Sequence, residues 1–179
     1  MITLREAVPA DAAAIAALHL RSWQTAYRGI LPNHYIDGAL RDDLAAQWHI
    51  AFADRRQGLV LLAEAETQLI GFIAVWRDGG AGQPALIDNL HVDPARRGGG
   101  LGRRILGVAM RRLAAGRCPG AYLWVFAANR RTIALYDRLG GTAGERATKP
   151  VGGHLVAMIR YGWSDLVALA ARCEAAAGA

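Results

Sequence analysis

The sequence predicts a mixed α/β sandwich, and three observations support this fold class. Short apolar runs with strand composition recur along the chain, segments of helical period lie between them, and a glycine-rich turn joins the central strand to the helix after it. The predicted order of elements is β-αα-βββ-α-β-α-ββ, followed by a short helical tail. No internal repeat and no linker composition divides the chain.

The first part of the chain combines one strand with helical segments. Residues 2–5 alternate apolar and polar side chains, which predicts a short strand. A helix then opens in the Val-Pro-Ala-Asp segment, because proline is tolerated in the first turn and Asp11 suits the positive end of the helix dipole. The helices predicted here cover residues 8–27, 34–40 and about 41–56.

The second part carries most of the strands. Apolar, β-branched and aromatic runs between glycine, proline and polar turns predict them. These strands cover residues 59–64, 68–76, 85–92, 121–127, 144–148 and 154–161. A loop is expected at 78–84, one helix begins at about residue 100, another covers 129–139, and a tail helix covers 164–177.

The composition is that of one globular domain. The chain has 179 residues, of which 53% are apolar and 20% charged, and we expect a single domain over residues 1–179 with a core at about 2–161. No apolar run reaches the ~20 residues of a membrane span, and no secretory signal is apparent, so we expect a cytoplasmic protein. Cys118 and Cys173 lie far apart without metal-ligand spacing, which predicts free thiols and no metal site.

The net charge of +6 comes almost entirely from arginine, because Lys149 is the single lysine. Such a basic surface suits nucleic acid. It equally suits a phosphorylated cofactor, since arginine pairs flank the glycine-rich turn and arginine binds phosphate in a bidentate manner. The charge alone leaves both interpretations open.

Residues 97–102, Arg-Gly-Gly-Gly-Leu-Gly, form this glycine turn between a strand and a helix. Glycines permit positive φ and let a ligand approach bare backbone, and the first N–H groups of the helix favour an anion. The turn therefore predicts a phosphate site, although a turn without any ligand remains an alternative. The Walker pattern fails because Arg103 and Arg104 follow Gly102 where it needs Lys and Ser or Thr. The dinucleotide pattern fails because its last glycine would fall on Arg103 or on Ile105.

The turn resembles the R/Q-x-x-G-x-G/A segment with which the GNAT superfamily of N-acetyltransferases holds the pyrophosphate of acetyl-CoA. Residues 129–140 resemble a second segment of that family, N-x-x-A-x-x-x-Y-x-x-x-G, with Thr132 where alanine is usual. Asn129 alone would be an ordinary helix cap and Tyr136 alone an ordinary core residue. The resemblance covers residues 2–161, is sharpest at 87–140, and extends to the order of elements.

The resemblance implies a single N-acetyltransferase domain with a twisted, mixed but mostly antiparallel sheet between helices. The strand before the turn and the strand before Asn129 should splay apart, and the pantetheine arm of acetyl-CoA should lie in the gap. The cofactor-binding residues implied are Leu90, His91, Val92, Arg97, Gly98, Gly99, Gly100, Leu101, Gly102, Arg103, Asn129 and Tyr136. The implied reaction is direct attack of a primary amine on the thioester in a ternary complex.

Tyr136 corresponds to the family's general acid. With an ordinary pKa of ~10 against ~8.5 for a leaving thiol, proton transfer would cost only about 2 kcal/mol. The family often uses a glutamate base, but Trp124 stands where some relatives carry it. Asp88 and His91 are the candidates, and the two-residue strand period predicts that they point to opposite faces. Asp88 is also explained as a solvated or paired carboxylate, and His91 as a polar strand residue.

The acceptor should be a primary amine, with an α-amine of a small molecule or peptide favoured. Trp23, Tyr27 and Arg28 lie where the family's acceptor cleft is expected. Both aromatics could instead pack helices, and Arg28 could instead stabilise a helix C-terminus.

Two other interpretations remain beside the enzyme. One is a non-catalytic acyl-CoA sensor, which the missing clear base favours. The other is a nucleic-acid-binding domain, for which the sequence lacks a recognition helix or an aromatic ribonucleoprotein motif. We expect an amine acceptor as partner, no nucleic acid and no membrane, while the apolar residues 166–171 would suit a homodimer contact.

Overall fold

The computed structural model describes residues 1–54, 57–77, 79 and 82–175. The strands are β1 (Ile2–Glu6), β2 (Gly58–Ala65), β3 (Gln68–Trp76), β4 (Ala85–Val92), β5 (Ala121–Phe126), β6 (Thr142–Val151) and β7 (His154–Trp163). The helices are α1 (Ala12–Ala26), α2 (Asn33–Asp37), α3 (Leu40–Ala53), α4 (Leu101–Ala115), α5 (Arg130–Arg138) and α6 (Leu166–Ala175). The predicted mixed α/β class is confirmed. The order of elements agrees with the predicted β-αα-βββ-α-β-α-ββ except that three helices, α1 to α3, lie between β1 and β2, because α2 and α3 are separate helices.

The strands form one seven-stranded sheet in the order β1-β2-β3-β4-β5-β7-β6. Every neighbouring pair is antiparallel except β4 and β5, which are parallel. These two strands pair only at their beginnings, where Ala85 faces Ala121 and Leu86 faces Tyr122. Beyond this point the pairing ends, so the strands separate toward their C-terminal ends. The expected splay between them is confirmed.

Helices cover both faces of the sheet because strand side chains alternate between two apolar clusters. Leu62 and Phe72 lie in the cluster beneath α1 and α3, whereas Leu61 and Ile73 lie in the cluster beneath α4 and α6. The short helix α2 packs elsewhere, against the end of β5 and against β7. The result is a three-layer α/β/α arrangement with the β4–β5 gap near its middle.

Helix α4, which follows the glycine turn, lies unusually close to the sheet at one position. A Cβ added to Gly71 of β3 would come within 2.8 Å of Ile105 Cδ1 and 3.2 Å of the His91 carbonyl oxygen. Ile105 itself is fully buried. Glycine at position 71 therefore lets α4 rest against the strands that carry the candidate site.

Several boundaries differ from the sequence prediction for identifiable reasons. Residues Pro9–Asp11 form a 3-10 turn before α1, and Asp11 is held by Arg5 at 2.7 Å as well as by the Val8 amide. β6 is longer than predicted because it pairs with β7 along most of its length. The predicted helix over 41–56, the loop at 78–84 and the tail at 164–177 lie partly outside the described residues.

Cys118 and Cys173 are both buried free thiols, as predicted. Among the described residues, no helix combines the length and the apolar character needed to cross a membrane.

The buried pair Trp48 and His19 offers a test of this packing. Trp48 Nε1 donates to His19 Nδ1 at 3.1 Å, and both residues are about 1% exposed. Trp48→Phe should lower the free energy of unfolding by about 1–3 kcal/mol, because it leaves a buried ring nitrogen unpaired. Urea denaturation measures this change, and the same substitution in a His19→Leu background should cost less. An equal cost in both backgrounds would contradict the hydrogen bond.

Candidate active site

The glycine turn at 97–102 follows β4 through a short 3-10 turn, Pro94–Arg96. Asp93 fixes this connection, since its carboxylate accepts from the Ala95 amide at 3.0 Å and pairs with Arg21 of α1 at 3.0 Å. Gly98 and Gly100 then adopt φ of +94° and +76°, in the left-handed region that favours glycine. Gly100 caps α4, so the turn leads directly to a helix N-terminus.

The geometry of the turn fits a phosphate group. A Cβ added to Gly98 or Gly99 would meet no heavy atom within 4 Å, so their backbone borders open space. The first α4 hydrogen bond runs from the Arg104 amide to Gly100, and the amides before Arg104 lack an acceptor one turn back in the helix. Those N–H groups, the helix dipole and neighbouring arginines together favour an anion, so the residues present suit a pyrophosphate.

Arg97 ties the turn to α1. Its guanidinium donates to the carbonyl oxygen of Ser22 at 3.1 Å and to Ser22 Oγ at 3.0 Å. Burial, and then the positive charge of Arg131, lowers the pKa of Arg97 from its usual value. The guanidinium nevertheless stays charged at neutral pH.

His91 of β4 extends the same network. Its Nδ1 lies 2.9 Å from Ser22 Oγ, and its Nε2 lies 3.4 Å from Trp23 Nε1. Because an indole N–H can only donate, Nε2 accepts, and Nδ1 carries the proton and donates to Ser22. Burial, followed by the charge of Arg97, lowers the pKa of His91 to about 3. His91 is therefore a neutral, positioned imidazole and a weak base at neutral pH.

Asp88 lies at a β-bulge that overturns the predicted facing of the two base candidates. Ala74 of β3 pairs with Asn89 and Val75 pairs with Ile87, so Asp88 is an extra residue in β4. The prediction that Asp88 and His91 point to opposite faces is wrong, because one inserted residue reverses the alternation. Asp88 accepts from Trp76 Nε1 at 3.0 Å, and Trp76 belongs to the cluster beneath α1 and α3. His91 packs on that same face, beside Phe72 and His19.

Asp88 also lines a cleft of about 450 Å³ between α3 and the sheet. The cleft has mostly apolar walls with carboxylates among them. Its lining residues are Gln47, Trp48, Ile50, Ala51, Asp54, Trp76 and Asp88. Such a cleft suits a partly apolar group that carries a positive charge.

The C-terminal end of α1 reaches across the β4–β5 gap. The ring of Tyr27 lies 5.0 Å from Trp23 and 4.6 Å from Phe126 at the end of β5, both edge to face. Burial raises the pKa of Tyr27 to about 12, although the charge of Arg97 opposes the shift. Arg28 points elsewhere: it is exposed and pairs with Asp37 of α2 at 2.6 Å.

Tyr136 approaches the gap from α5. The Asn129 side chain caps this helix by accepting from the Thr132 amide at 3.3 Å. Tyr136 is buried beside Tyr161 and Trp163. Burial, and then the neighbouring Tyr27, raises the pKa of Tyr136 well above its usual 10. Its hydroxyl therefore remains protonated, and available as a donor, across the neutral pH range.

The structure thus joins some of the predicted site residues and separates others. Trp23, Tyr27, His91 and Arg97 form one network near the mouth of the gap, and Tyr136 interacts electrostatically with Tyr27. Arg28 lies outside this network. Leu101 is 7% exposed and belongs to the core, so only its backbone faces the turn.

Sequence reasoning missed two residues that hold the site together. Ser22 connects Arg97 to His91. The one indication of this role in the sequence is that a serine lies among the apolar residues on one face of α1. Trp76 orients Asp88 through the indole N–H, but nothing in a strand-terminal tryptophan indicates such a partner.

Known proteins resemble this chain in both sequence and fold. The sequence profile of the acetyltransferase (GNAT) family matches residues 18–141. A mycothiol acetyltransferase from Streptomyces avermitilis is 38% identical over 81 residues, covering 44% of this chain and 25% of that protein. YuaI from Bacillus subtilis, an uncharacterized N-acetyltransferase, is 23% identical over 171 residues, covering 94% of this chain and 96% of that protein. The match therefore spans a quarter of the first relative and nearly all of the second.

A solved structure shares the fold and contains the expected cofactor. It is that of the acetyltransferase yncA from Salmonella typhimurium with its cofactor acetyl-CoA. The two chains agree with a TM-score of 0.66 at 20% identity, over 92% of this chain and 94% of that one.

Gly100→Val tests the phosphate role of the turn. The variant should weaken coenzyme A binding by roughly tenfold or more, because a β-branched residue disfavours the left-handed conformation from which α4 begins. Isothermal titration calorimetry measures the affinity. Gly153→Val is the matched control, since Gly153 has a similar φ of +79° and open space around its Cβ. Wild-type affinity in Gly100→Val would contradict the assignment.

Proposed function

Because the chain belongs to the acetyltransferase (GNAT) family, we propose that it transfers the acetyl group of acetyl-CoA to a primary amine. The favoured acceptor is an α-amine of a small molecule or peptide. The amine attacks the thioester directly, in a ternary complex with no covalent enzyme intermediate.

The gap between β4 and β5 is the observation that carries this proposal. Backbone pairing between the two strands ends after Leu86 and Tyr122, while β4 continues to Val92. His91 and Val92 pair with β3 on one side only, which leaves their other edge toward the gap. In this arrangement the backbone of residues 90–92 would hold the amides of the pantetheine arm. The glycine turn beyond would hold the pyrophosphate, beside Arg97 and Arg103.

Acetyl-CoA supplies an activated acetyl group as a thioester. Tyr136 is then the candidate proton donor to the leaving sulfur, because its raised pKa keeps the hydroxyl protonated. The same raised pKa makes complete proton transfer cost more than the about 2 kcal/mol of an ordinary phenol. We therefore assign Tyr136 a hydrogen bond that strengthens as negative charge develops on sulfur.

Proton removal from the amine falls to Asp88 in this proposal, directly or through water. A pKa of about 3 leaves His91 with little capacity to accept a proton at neutral pH. Its bonds to Ser22 and Trp23 instead position α1 against β4. The position of Asp88 supports this assignment, because the residue lies on the β-bulge and its carboxylate lines the cleft beneath α3.

The experiment that tests the function is a panel of amines incubated with acetyl-CoA and analysed by mass spectrometry. The proposal requires acetylated product from at least one primary amine. Tight coenzyme A binding with no product from any amine would instead favour the non-catalytic acyl-CoA sensor.

Tyr136→Phe should lower kcat by about tenfold or more with little change in coenzyme A affinity. The hydroxyl acts only as charge develops on sulfur, so its loss affects the transition state more than the ground state. Steady-state kinetics and calorimetry measure the two quantities. Tyr161→Phe is the control, because it also removes a phenol, one that donates to Asp137 at 2.8 Å. Unchanged kcat in Tyr136→Phe would place the donor elsewhere.

The enzyme should prefer amines of low pKa. An α-amine at ~7.7–8.0 is partly neutral at pH 7, whereas an alkyl amine like the lysine side chain at ~10.4 needs about 3.4 kcal/mol more to deprotonate. A site whose candidate base is an exposed carboxylate, Asp88, gives limited help with that difference. Alaninamide should therefore exceed propylamine in kcat/KM at pH 7. A clear preference for propylamine would refute this expectation and indicate a stronger base.

A further inference from the structure

We propose that the amine acceptor carries a second, anionic group, a carboxylate or phosphate, which Lys149 and Arg160 bind. This inference rests on the proposed function, because it defines the acceptor of the same site. It begins from a patch on the α1/α3 face of the sheet that neither the glycine turn nor the β4–β5 gap uses. We call it the cationic patch and define it by Tyr122, Trp124, Lys149 and Arg160.

The cationic patch is built on β5. Tyr122 and Trp124 alternate with Leu123 and Val125, and the latter two lie in the core beneath α4 and α6. Tyr122 and Trp124 therefore point to the opposite face. Phe126 continues that row and is covered by α2, whereas Tyr122 and Trp124 are only partly buried.

Two cations rest on these rings. Lys149 Nζ lies 3.5 Å from the ring centroid of Trp124, and Arg160 Cζ lies 4.2 Å from that of Tyr122. Arg160 is also the register partner of Trp124, so the two positive groups share one small area. Within the described part of the chain, neither side chain forms a hydrogen bond or an ion pair. Their mutual repulsion would be relieved by a bound anion, which could also take charge-assisted hydrogen bonds from both.

The position of the patch separates it from the phosphates of coenzyme A. The pyrophosphate belongs at the N-terminus of α4, which packs on the opposite face of the sheet. The patch lies instead on the face that carries Asp88 and the cleft beneath α3. An anion bound there therefore comes with the acceptor.

Strand spacing gives the size of the acceptor. Asp88 is on β4 and Arg160 is on β7, and the sheet order β4-β5-β7 places them two strands apart. At ~4.8 Å per strand the two positions are at least about 10 Å apart, because β4 and β5 no longer pair beyond Leu86 and the gap widens the separation. An extended tripeptide spans about 10 Å, so the acceptor is at least of this length. The acceptor is therefore a short peptide or a molecule of similar length, with the amine at the bulge and the anion on the cationic patch.

Two peptides that differ only in the terminal anion test the proposal: trialanine and its C-terminal amide, trialaninamide. Wild-type kcat/KM should be at least tenfold higher for trialanine. The double variant Lys149→Met/Arg160→Met retains apolar stems over the rings but removes both charges, so the ratio should fall toward one while trialaninamide activity is retained. The single variants Lys149→Met and Arg160→Met should each lower the ratio in part. Arg41→Met, which removes one exposed charge on α3, is their control and should keep the wild-type ratio.

The two peptides also separate the anion site from acetyl transfer itself. Equal use of both peptides by the wild type, or an unchanged ratio in the double variant, would overturn the anion site while leaving acetyl transfer intact. If neither peptide is acetylated, calorimetry with the coenzyme A complex decides independently of turnover. Tenfold tighter binding of trialanine that depends on Lys149 and Arg160 supports the site. Equal binding of both peptides, or binding of neither, overturns it.

Discussion

The early end of pairing between β4 and β5 is the constraint on which the rest of the structure depends. A parallel pair that stops after two register positions leaves backbone donors and acceptors without a strand partner in the middle of the sheet. Helices on both faces keep the sheet together despite this gap, because each face has its own apolar cluster. The gap is therefore a stable feature of the fold, one that can accept an extended ligand edge in place of the missing strand pairing.

The two faces of the sheet around this gap carry different groups. The α4 face provides the helix N-terminus and the glycine turn, which suit phosphates. The α1/α3 face provides Asp88, the apolar cleft and the cationic patch, which suit an acceptor. In the proposed reaction, acetyl-CoA and the acceptor would therefore approach the gap from different sides of one sheet.

The sequence predicted what short segments determine and failed where distant pairing decides. The glycine turn, the cap at Asn129 and the order of elements are local patterns, so spacing alone identified them. The facing of Asp88 depends on a bulge that arises from the register between β3 and β4, and no pattern within β4 reveals it. Arg28 was expected at the acceptor, but its partner Asp37 becomes available only when α2 folds back toward α1. Ser22 and Trp76 likewise acquire their roles from contacts across the fold.

Arg97 is part of the glycine turn and also donates to Ser22 of α1, the helix whose C-terminal end reaches across the gap. Any ligand that draws the guanidinium toward its phosphates competes with the Ser22 carbonyl and hydroxyl for the same donors. If acceptor binding in turn depends on the position of α1, the binding of acetyl-CoA and the binding of the acceptor would be coupled, and each would change the affinity of the other by the same factor. The protein would in this way sense, on the acceptor side of the sheet, whether the nucleotide side is occupied.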